Sequence, residues 1–146
     1  MLDQQHNVML YGISGRGVEL ADRYRDLAAF DALPPAVANE LQQLASERQQ
    51  RMDALRLEVI DEGGLPKAGN PDREFIESLA DRLFSSVSGC RAAFDRLSQA
   101  EQLWHDDIAE LSRESWPEPL AQLLIGLSQH SLHCQQCLQK LADRCD

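Results

Sequence analysis

Apolar residues recur at steps of three and four along most of the chain, which is the spacing of residues on one face of an α-helix. The clearest case is the stretch ELQQLASERQQRMDALRLEVIDEGGLP, residues 40–66. Its helix is predicted to end at Gly63 and Gly64, since glycine takes the left-handed conformation of a helix end at little cost. The apolar face of this helix comprises Ala38, Leu41, Ala45, Met52, Leu55 and Val59.

Five helical segments are predicted from the same spacing together with the positions of proline, glycine and capping residues. The first segment runs from about residue 4 to residue 29, and the second from Pro34 to about Glu62. The third runs from Asn70 to a break at residues 85–90, and the fourth continues from that break through Leu111. The fifth has Ser115 as its cap and runs to about Arg144. The sequence therefore predicts one all-α domain over residues 1–146. The expected architecture is an up-down four-helix bundle with one broken helix and short connecting loops.

Two charged residues occupy positions of the predicted apolar faces. Arg48 continues the three-four spacing of the second helix, and Glu101 lies between Leu97 and Trp104 on the face that ends at Leu111. An inward arginine needs a carboxylate partner, because a buried unpaired charge is too costly to keep. We therefore predict an interior ion pair between Arg48 and Glu101, with Glu19 of the first helix as the second choice of partner.

The sequence GISGRG, residues 12–17, lies within the first predicted helix. It lacks both the Gly-Lys-Ser/Thr end of a phosphate-binding loop and the spacing of a nucleophile elbow. Small residues on a helix let a neighbouring helix approach closely, at a cost in helix propensity of about 1 kcal/mol per glycine. We interpret this segment as a close-packing surface.

Composition narrows the possible partners. The 146 residues are 43% hydrophobic and 26% charged, with a formal net charge of −10. So acidic a chain should be repelled by nucleic acid and by anionic lipid, and no stretch approaches the roughly 18 apolar residues of a membrane span. The N-terminal MLDQQHNVML lacks the features of a signal peptide, and the four cysteines do not suggest a disulfide scaffold. We expect a reduced, cytoplasmic setting without nucleic acid or membrane.

The last predicted helix carries the most suggestive chemistry, in the segment QHSLHCQQCLQK, residues 129–140. His130, His133, Cys134 and Cys137 fall on one side of this helix, where a histidine and a cysteine four residues apart could hold two corners of a zinc site. Completing the site would need Cys90, His105 or a second subunit. The alternatives are a redox Cys-x-x-Cys, which would lack the usual helix N-terminus, and small core residues. The tail residue Cys145 is expected to be exposed and inert.

Two segments, SERQQRMDALRLEVIDEGGLP and AEQLWHDDIAELSRESWPEPL, carry most of the similarity of this chain to known proteins. The chain resembles a group of small bacterial ferritin-like proteins that are classified only as a domain of unknown function. The resemblance implies a ferritin-like bundle that self-associates. It implies no activity.

Metal-binding ferritin-like proteins place glutamate on two helices and Glu-x-x-His on the other two. This chain contains no Glu-x-x-His, because Glu101 and His105 are four residues apart and Gln50 stands in the histidine position after Glu47. The inward arginine would also bring a positive charge to the place of the metal. A metal site that uses Glu19, Glu101 and His105 is kept as the alternative to the ion pair.

No motif assembles a catalytic set of serine, histidine and aspartate, so nucleophilic catalysis has no support. We expect a bundle without a functional di-iron centre and without a cofactor. It would act as a homo-oligomer, with a dimer as first choice, or by binding a protein partner. The alternative is a metal-binding or metal-dependent redox protein that uses iron at the bundle carboxylates or zinc at the His/Cys stripe. A thiol switch is a third possibility.

Overall fold

The computed structural model describes residues 2–30, 33–64 and 89–145. Within these ranges the secondary structure consists of four helices and no strand. They are α1 (Gln4–Ala28), α2 (Pro35–Asp61), α3 (Cys90–Leu111) and α4 (Glu118–Ala142). The prediction of an all-α chain is confirmed for this part. The predicted helix over residues 71–87, with its cap at Asn70, lies outside the described residues.

Each of the four helices packs against two others, so that they form a ring in the order α1, α2, α4, α3. Helices that are neighbours in this ring are antiparallel. At one end Leu2 N donates to Glu62 O at 3.1 Å, which joins the start of α1 to the end of α2. A disulfide between Cys90 and Cys145 joins the start of α3 to the residues just after α4.

The two remaining contacts of the ring are antiparallel as well. His6 near the start of α1 lies 3.9 Å from Glu114, just after α3. On the opposite side Arg51 of α2 approaches Gly126 of α4, one turn before the contact of Glu47 with His130. The ends of α2 and α3 therefore lie at the same end of the bundle.

The predicted up-down alternation includes the segment over residues 71–87, which lies between α2 and α3 and outside the described residues. Because α2 and α3 run parallel on opposite corners of the ring, Glu62 and Gly89 lie at opposite ends of the bundle. The four described helices run up, down, down, up in chain order. The spacing of apolar residues specifies which face of a helix is buried but not which neighbour covers it, so the sequence pattern could not reveal this order.

Local sequence signals explain three of the eight ends of the described helices. The Asp3 side chain accepts a hydrogen bond from His6 N at 2.8 Å and caps α1, and Pro35 occupies the first turn of α2, where its missing N–H is harmless. Gly63 ends α2 with φ of 87°. The predicted cap of α4 was wrong: Pro117 is the N-cap residue, and no side chain bonds the first turn there, so Ser115 does not act as a cap.

The buried faces of α2 and α3 follow the predicted apolar spacing, and Arg48 and Glu101 are buried within it. The described core is mainly leucine, with Tyr24, Phe94 and Trp104 as its large aromatic side chains. On α4 the residues Leu124 and Leu138 are buried, whereas Leu123 and Cys137 are half-buried. No helix in the described part of the chain is long and apolar enough to cross a membrane.

Gly17 permits the close approach that GISGRG predicted. A Cβ atom at this position would lie 2.6 Å from Met52 Sδ and 2.8 Å from an indole carbon of Trp104. These distances are shorter than a van der Waals contact. The absence of a side chain therefore lets α1 pack directly on α2 and α3.

The disulfide overturns two predictions about the cysteines. Cys145 is half-buried and bonded to Cys90, with 5.8 Å between the two Cα atoms, rather than exposed and inert. The bond also means that Cys90 takes no part in a His/Cys metal site. The two residues are 55 positions apart, and the antiparallel packing of α3 on α4 brings them together, which spacing along the sequence does not disclose.

Candidate functional site: a buried polar cluster

A carboxylate at the centre of the bundle accepts hydrogen bonds from all three other helices. Oε1 of Glu101 on α3 accepts a hydrogen bond from the hydroxyl of Tyr24 on α1 at 2.5 Å. Its Oε2 accepts hydrogen bonds from Nη2 of Arg48 on α2 at 2.8 Å and from the hydroxyl of Ser131 on α4 at 2.6 Å. Glu101 is 0% and Arg48 1% exposed. The ion pair predicted from helical phase is thus present, and three helices contribute to the solvation of its carboxylate.

The guanidinium group of Arg48 has further partners on α3 and α4. Its Nε donates to His130 Nδ1 at 3.2 Å, and Nη2 lies 3.6 Å from Cys134 Sγ. Its Cζ lies 4.2 Å from the centre of the Trp104 ring, a distance at which the positive charge is attracted by the face of the indole. Trp104 itself is held by a hydrogen bond from Nε1 to Ile13 O at 3.1 Å.

His130 links this cluster to the surface. Because Nδ1 accepts from Arg48, the ring is neutral with its proton on Nε2, and that nitrogen donates to Glu47 Oε1 at 3.1 Å. Burial and the adjacent Arg48 charge lower the pKa of His130. Partial burial opposes ionisation of Glu47, but hydrogen bonds from Gln43 and His130 outweigh it, so the pKa of Glu47 is lowered. The result is a neutral imidazole between a buried cation and a partly exposed carboxylate.

The electrostatic environment of the cluster keeps its thiol and its phenol protonated, which makes both poor nucleophiles. Burial raises the pKa of Cys134 to about 12 despite the neighbouring Arg48 charge. Burial and the Glu101 carboxylate raise the pKa of the Tyr24 hydroxyl well above its usual value. Burial alone would lower the pKa of Arg48, but the charge of Glu101 raises it overall. Cys134 and Tyr24 therefore stay protonated at neutral pH and Arg48 stays charged.

The carboxylate and imidazole predicted to join Glu101 at a metal site have other partners. Glu19 is buried and paired with Arg23 one turn further along α1. His105 is half-buried and lies 3.1 Å from the hydroxyl of Ser128. In the portion of the chain that is described, no three histidine, cysteine, aspartate or glutamate side chains are grouped so that they could hold one ion.

The His/Cys stripe of α4 divides into two pairs. His130 and Cys134 lie inside the bundle with 3.6 Å between Nε2 and Sγ, whereas His133 is exposed and its Nε2 lies 3.6 Å from half-buried Cys137. Each pair offers two ligands, and the inner pair is already in contact with Arg48. Burial raises the pKa of Cys137 as well, which is opposite to the shift that a reactive thiol needs.

Sequence reasoning missed three members of the cluster. Tyr24 lies on the buried face of α1, but its hydroxyl was not considered as a hydrogen-bond donor. Ser131 was not singled out, although it lies between Leu127 and Leu138 on the buried face of α4 and its hydroxyl must find a partner there. Glu47 was considered only as a possible start of a metal motif. A search for polar residues at buried helical positions would have found Ser131.

The arrangement has the features of a structural core rather than of a reaction centre. The charges of Arg48 and Glu101 neutralise each other, and the groups around them are protonated and enclosed. Comparison of the chain with protein-family models, with curated proteins and with solved structures gives no match. The chemistry of the cluster and of the surface is therefore the basis for a functional assignment.

Proposed function

We propose that this protein is a ferritin-like bundle without a functional di-iron centre, and that it acts through its surface, by self-association or by binding a protein partner. One observation carries the proposal. The only buried guanidinium–carboxylate pair among the described residues, Arg48 with Glu101, stands at the centre of the bundle with less than 2% of either side chain exposed. A substrate would have no access to it.

The connectivity supports the ferritin-like part of the proposal. Bundles of that class contain one long crossover connection, and here the end of α2 at Glu62 and the start of α3 at Gly89 lie at opposite ends of the bundle, as such a connection requires. Metal-binding members use carboxylates from all four helices. In this chain a cation from α2 takes the carboxylate of α3 instead. The proposed relation to small bacterial ferritin-like proteins rests on this connectivity and on the two sequence segments given above.

Metal binding would require the cluster to be rearranged. An ion at Glu101 would have to displace or approach the guanidinium group of Arg48, and two like charges at that distance repel strongly in a medium of low dielectric constant. The groups that donate to the Glu101 carboxylate are a phenol, a guanidinium and a serine hydroxyl. A guanidinium cation is not a metal ligand, and the neighbouring thiol of Cys134 is held protonated, whereas zinc is bound by a thiolate.

The surface supports an interaction role. Seven large hydrophobic side chains of the described residues are at least 37% exposed. They are Val8, Phe30, Leu57, Ile60, Leu103, Ile125 and Leu132. With a net charge of −10 the protein is unsuited to nucleic acid and anionic lipid, so we propose a second copy or another protein as the partner, with a homodimer as first choice.

A cytoplasmic location also remains a proposal, and the Cys90–Cys145 bond is the observation against it. Disulfides persist in oxidising compartments, whereas cytoplasmic reductants keep most thiols reduced. Trapping thiols with iodoacetamide during lysis in denaturant, which exposes the buried Cys134, decides between the two. Four alkylated cysteines would support the cytoplasm, and two would place the protein in an oxidising compartment.

The function is tested on one sample, purified without chelator or metal affinity resin. Light scattering coupled to size exclusion should give twice the monomer mass, and elemental analysis should give less than one tenth of a metal ion per chain. Stoichiometric iron, manganese or zinc that is lost on mutating Glu101 or His130 would overturn the proposal in favour of a metal protein. A monomer at all concentrations, with no protein partner recovered, would contradict the interaction role.

A further inference from the structure

Between Glu118 and Lys140 the outer face of α4 carries no acidic residue, lysine or arginine. Residues 119–139 include no aspartate, glutamate, lysine or arginine, in a chain of which 26% of residues are charged. The helices α1, α2 and α3 all expose acidic and basic side chains, for example Asp26, Asp53 and Asp107. Depletion of charge is the compositional mark of the central part of a protein interface. The outer face of α4 is therefore distinct from the rest of the described surface.

The exposed residues of α4 follow the heptad spacing of a helix–helix seam. Gln122, Ile125, Gln129, Leu132 and Gln136 are separated by steps of three and four and are all exposed. Ile125 is 50% and Leu132 48% exposed, although both are large aliphatic residues. A stripe with this period lies straight along a helix and packs against one partner helix.

We propose that this stripe binds the same stripe of a second copy of the chain, antiparallel, about a twofold axis at Gln129. The proposal rests on the proposed self-association and assigns the surface that performs it. Two copies, each with a net charge of −10, repel one another through their charged surfaces, and the uncharged stripe avoids that repulsion. Glutamine side chains both donate and accept hydrogen bonds, so they pair with their own copies.

The antiparallel register satisfies the residues on both sides of the axis. Ile125 of one copy meets Leu132 of the other, and Gln129 meets Gln129. At the ends of the seam Glu118 of one copy meets Lys140 of the other, which are the nearest charged residues on either side of the stripe. A parallel pairing would place Glu118 against Glu118 and Lys140 against Lys140. Charge complementarity therefore selects the antiparallel dimer.

The neighbouring helix α2 adds a second charge match at the edge. Arg51 lies beside Gly126 and Glu47 beside His130. A twofold axis at Gln129 brings Arg51 of one copy to within two residues, about 3 Å along the helix, of the level of Glu47 in the other copy. The flanking surface thus opposes a cation to an anion, as the ends of the seam do.

The first test replaces the two aliphatic residues of the stripe. The double variant Ile125→Glu/Leu132→Glu introduces four like charges into the dimer seam. It should raise the dimer dissociation constant at least about a hundredfold, measured by sedimentation velocity on the full chain. The matched control is Leu103→Glu on α3, where an aliphatic residue that is 66% exposed lies away from the stripe. Circular dichroism should show unchanged helix content in both variants.

The second test fixes the register by cross-linking in a Cys137→Ser background. With copper-phenanthroline as oxidant, Gln129→Cys should form a disulfide-linked dimer, because the two introduced thiols face each other at the axis. Gln136→Cys should not, because its two copies would be about 21 Å apart along the helices.

The outcomes separate the surface from the function. A wild-type dimer that persists in Ile125→Glu/Leu132→Glu, or that cross-links equally through residues 129 and 136, would refute this interface and leave self-association standing. A wild-type monomer up to millimolar concentration would refute self-association, and the interface with it. Loss of the dimer in the double variant but not in Leu103→Glu supports the proposal.

Discussion

Breaking the interior ion pair from one side should cost more than removing it from both sides. In Arg48→Met the carboxylate of Glu101 keeps the hydroxyls of Tyr24 and Ser131 but loses its counter-charge. In Glu101→Gln the guanidinium group loses its counter-charge and keeps only neutral contacts, with an amide oxygen, an imidazole, a thiol and the indole of Trp104. Since both side chains are almost fully buried, each single variant should lose roughly 3–5 kcal/mol of unfolding free energy.

The double variant Arg48→Met/Glu101→Gln removes both charges and leaves an amide that can still accept from Tyr24 or Ser131. Its loss should be roughly 1–3 kcal/mol, the cost of the remaining imperfect hydrogen bonds. The coupling energy in the double-mutant cycle should therefore be at least about 3 kcal/mol. Urea unfolding followed by circular dichroism is the suitable assay, because Trp104 fluorescence would respond directly to the loss of the stacked guanidinium group.

A surface pair provides the comparison. Arg16 and Asp107 join α1 to α3 at 3.1 Å, but their side chains are 42% and 51% exposed. Exposed pairs are screened by water, so the same cycle there should give a coupling energy of about 1 kcal/mol or less. If the Arg48 and Glu101 losses add within about 0.5 kcal/mol, the two side chains do not act as a pair and the account of the interior is refuted.

Three further predictions concern packing, the disulfide and pH. Gly17→Ala should lose roughly 1–3 kcal/mol by overpacking, whereas Gly126→Ala, whose Cβ would meet only a mobile guanidinium end at 3.2 Å, should gain up to about 1 kcal/mol; both are read from urea midpoints. Cys145→Ser should lose about 4 kcal/mol of unfolding free energy, because the disulfide closes a loop of 55 residues and so lowers the entropy of the unfolded chain. Reduction of the wild type should have the same effect. The control variant Cys137→Ser, which keeps the disulfide under oxidising conditions, should not lose this stability. The pKa of His130 is lower in the folded state than in the unfolded state, so the unfolded state binds more protons below about pH 6.5. The free energy of unfolding should therefore fall as the pH drops from there towards the folded-state pKa. A pH titration of the urea midpoint should show this fall in the wild type and not in His130→Gln.

The spacing of residues along the helices was enough to predict the Arg48–Glu101 ion pair, but not the side chains that surround it. Arg48 and Glu101 were the two charged residues standing in the clearest apolar stripes, and a buried charge requires a partner, so pairing them needed no knowledge of the ring order. Glu19 is buried as well, yet it has a local partner in Arg23. A carboxylate near the edge of a stripe can find a cation one turn away on its own helix, and phase alone does not distinguish the two cases.

The order of the ring and the disulfide lay beyond the sequence for one common reason. Both depend on which helices are neighbours, and apolar periodicity specifies only the face that each helix buries. The parallel course of α2 and α3 and the bond between Cys90 and Cys145 follow from contacts between helices distant in the chain. Close packing at Gly17 could be predicted, because a glycine within a helix has a known cost that such an approach explains.

The main effect of the ion pair is on the register of the helices, more than on the unfolding free energy. Leucine contacts tolerate a shift of one helix along another, because one aliphatic surface resembles the next. Glu101 does not, since Tyr24, Arg48 and Ser131 must each reach one of its two oxygens at hydrogen-bond distance. A slip of one residue would rotate any of these donors by about 100° away from the carboxylate and leave a charge unpaired at the centre of the bundle. In a core built mainly of leucine, this cluster therefore provides the strongest determinant of register among the four described helices, and it acts on all of them together.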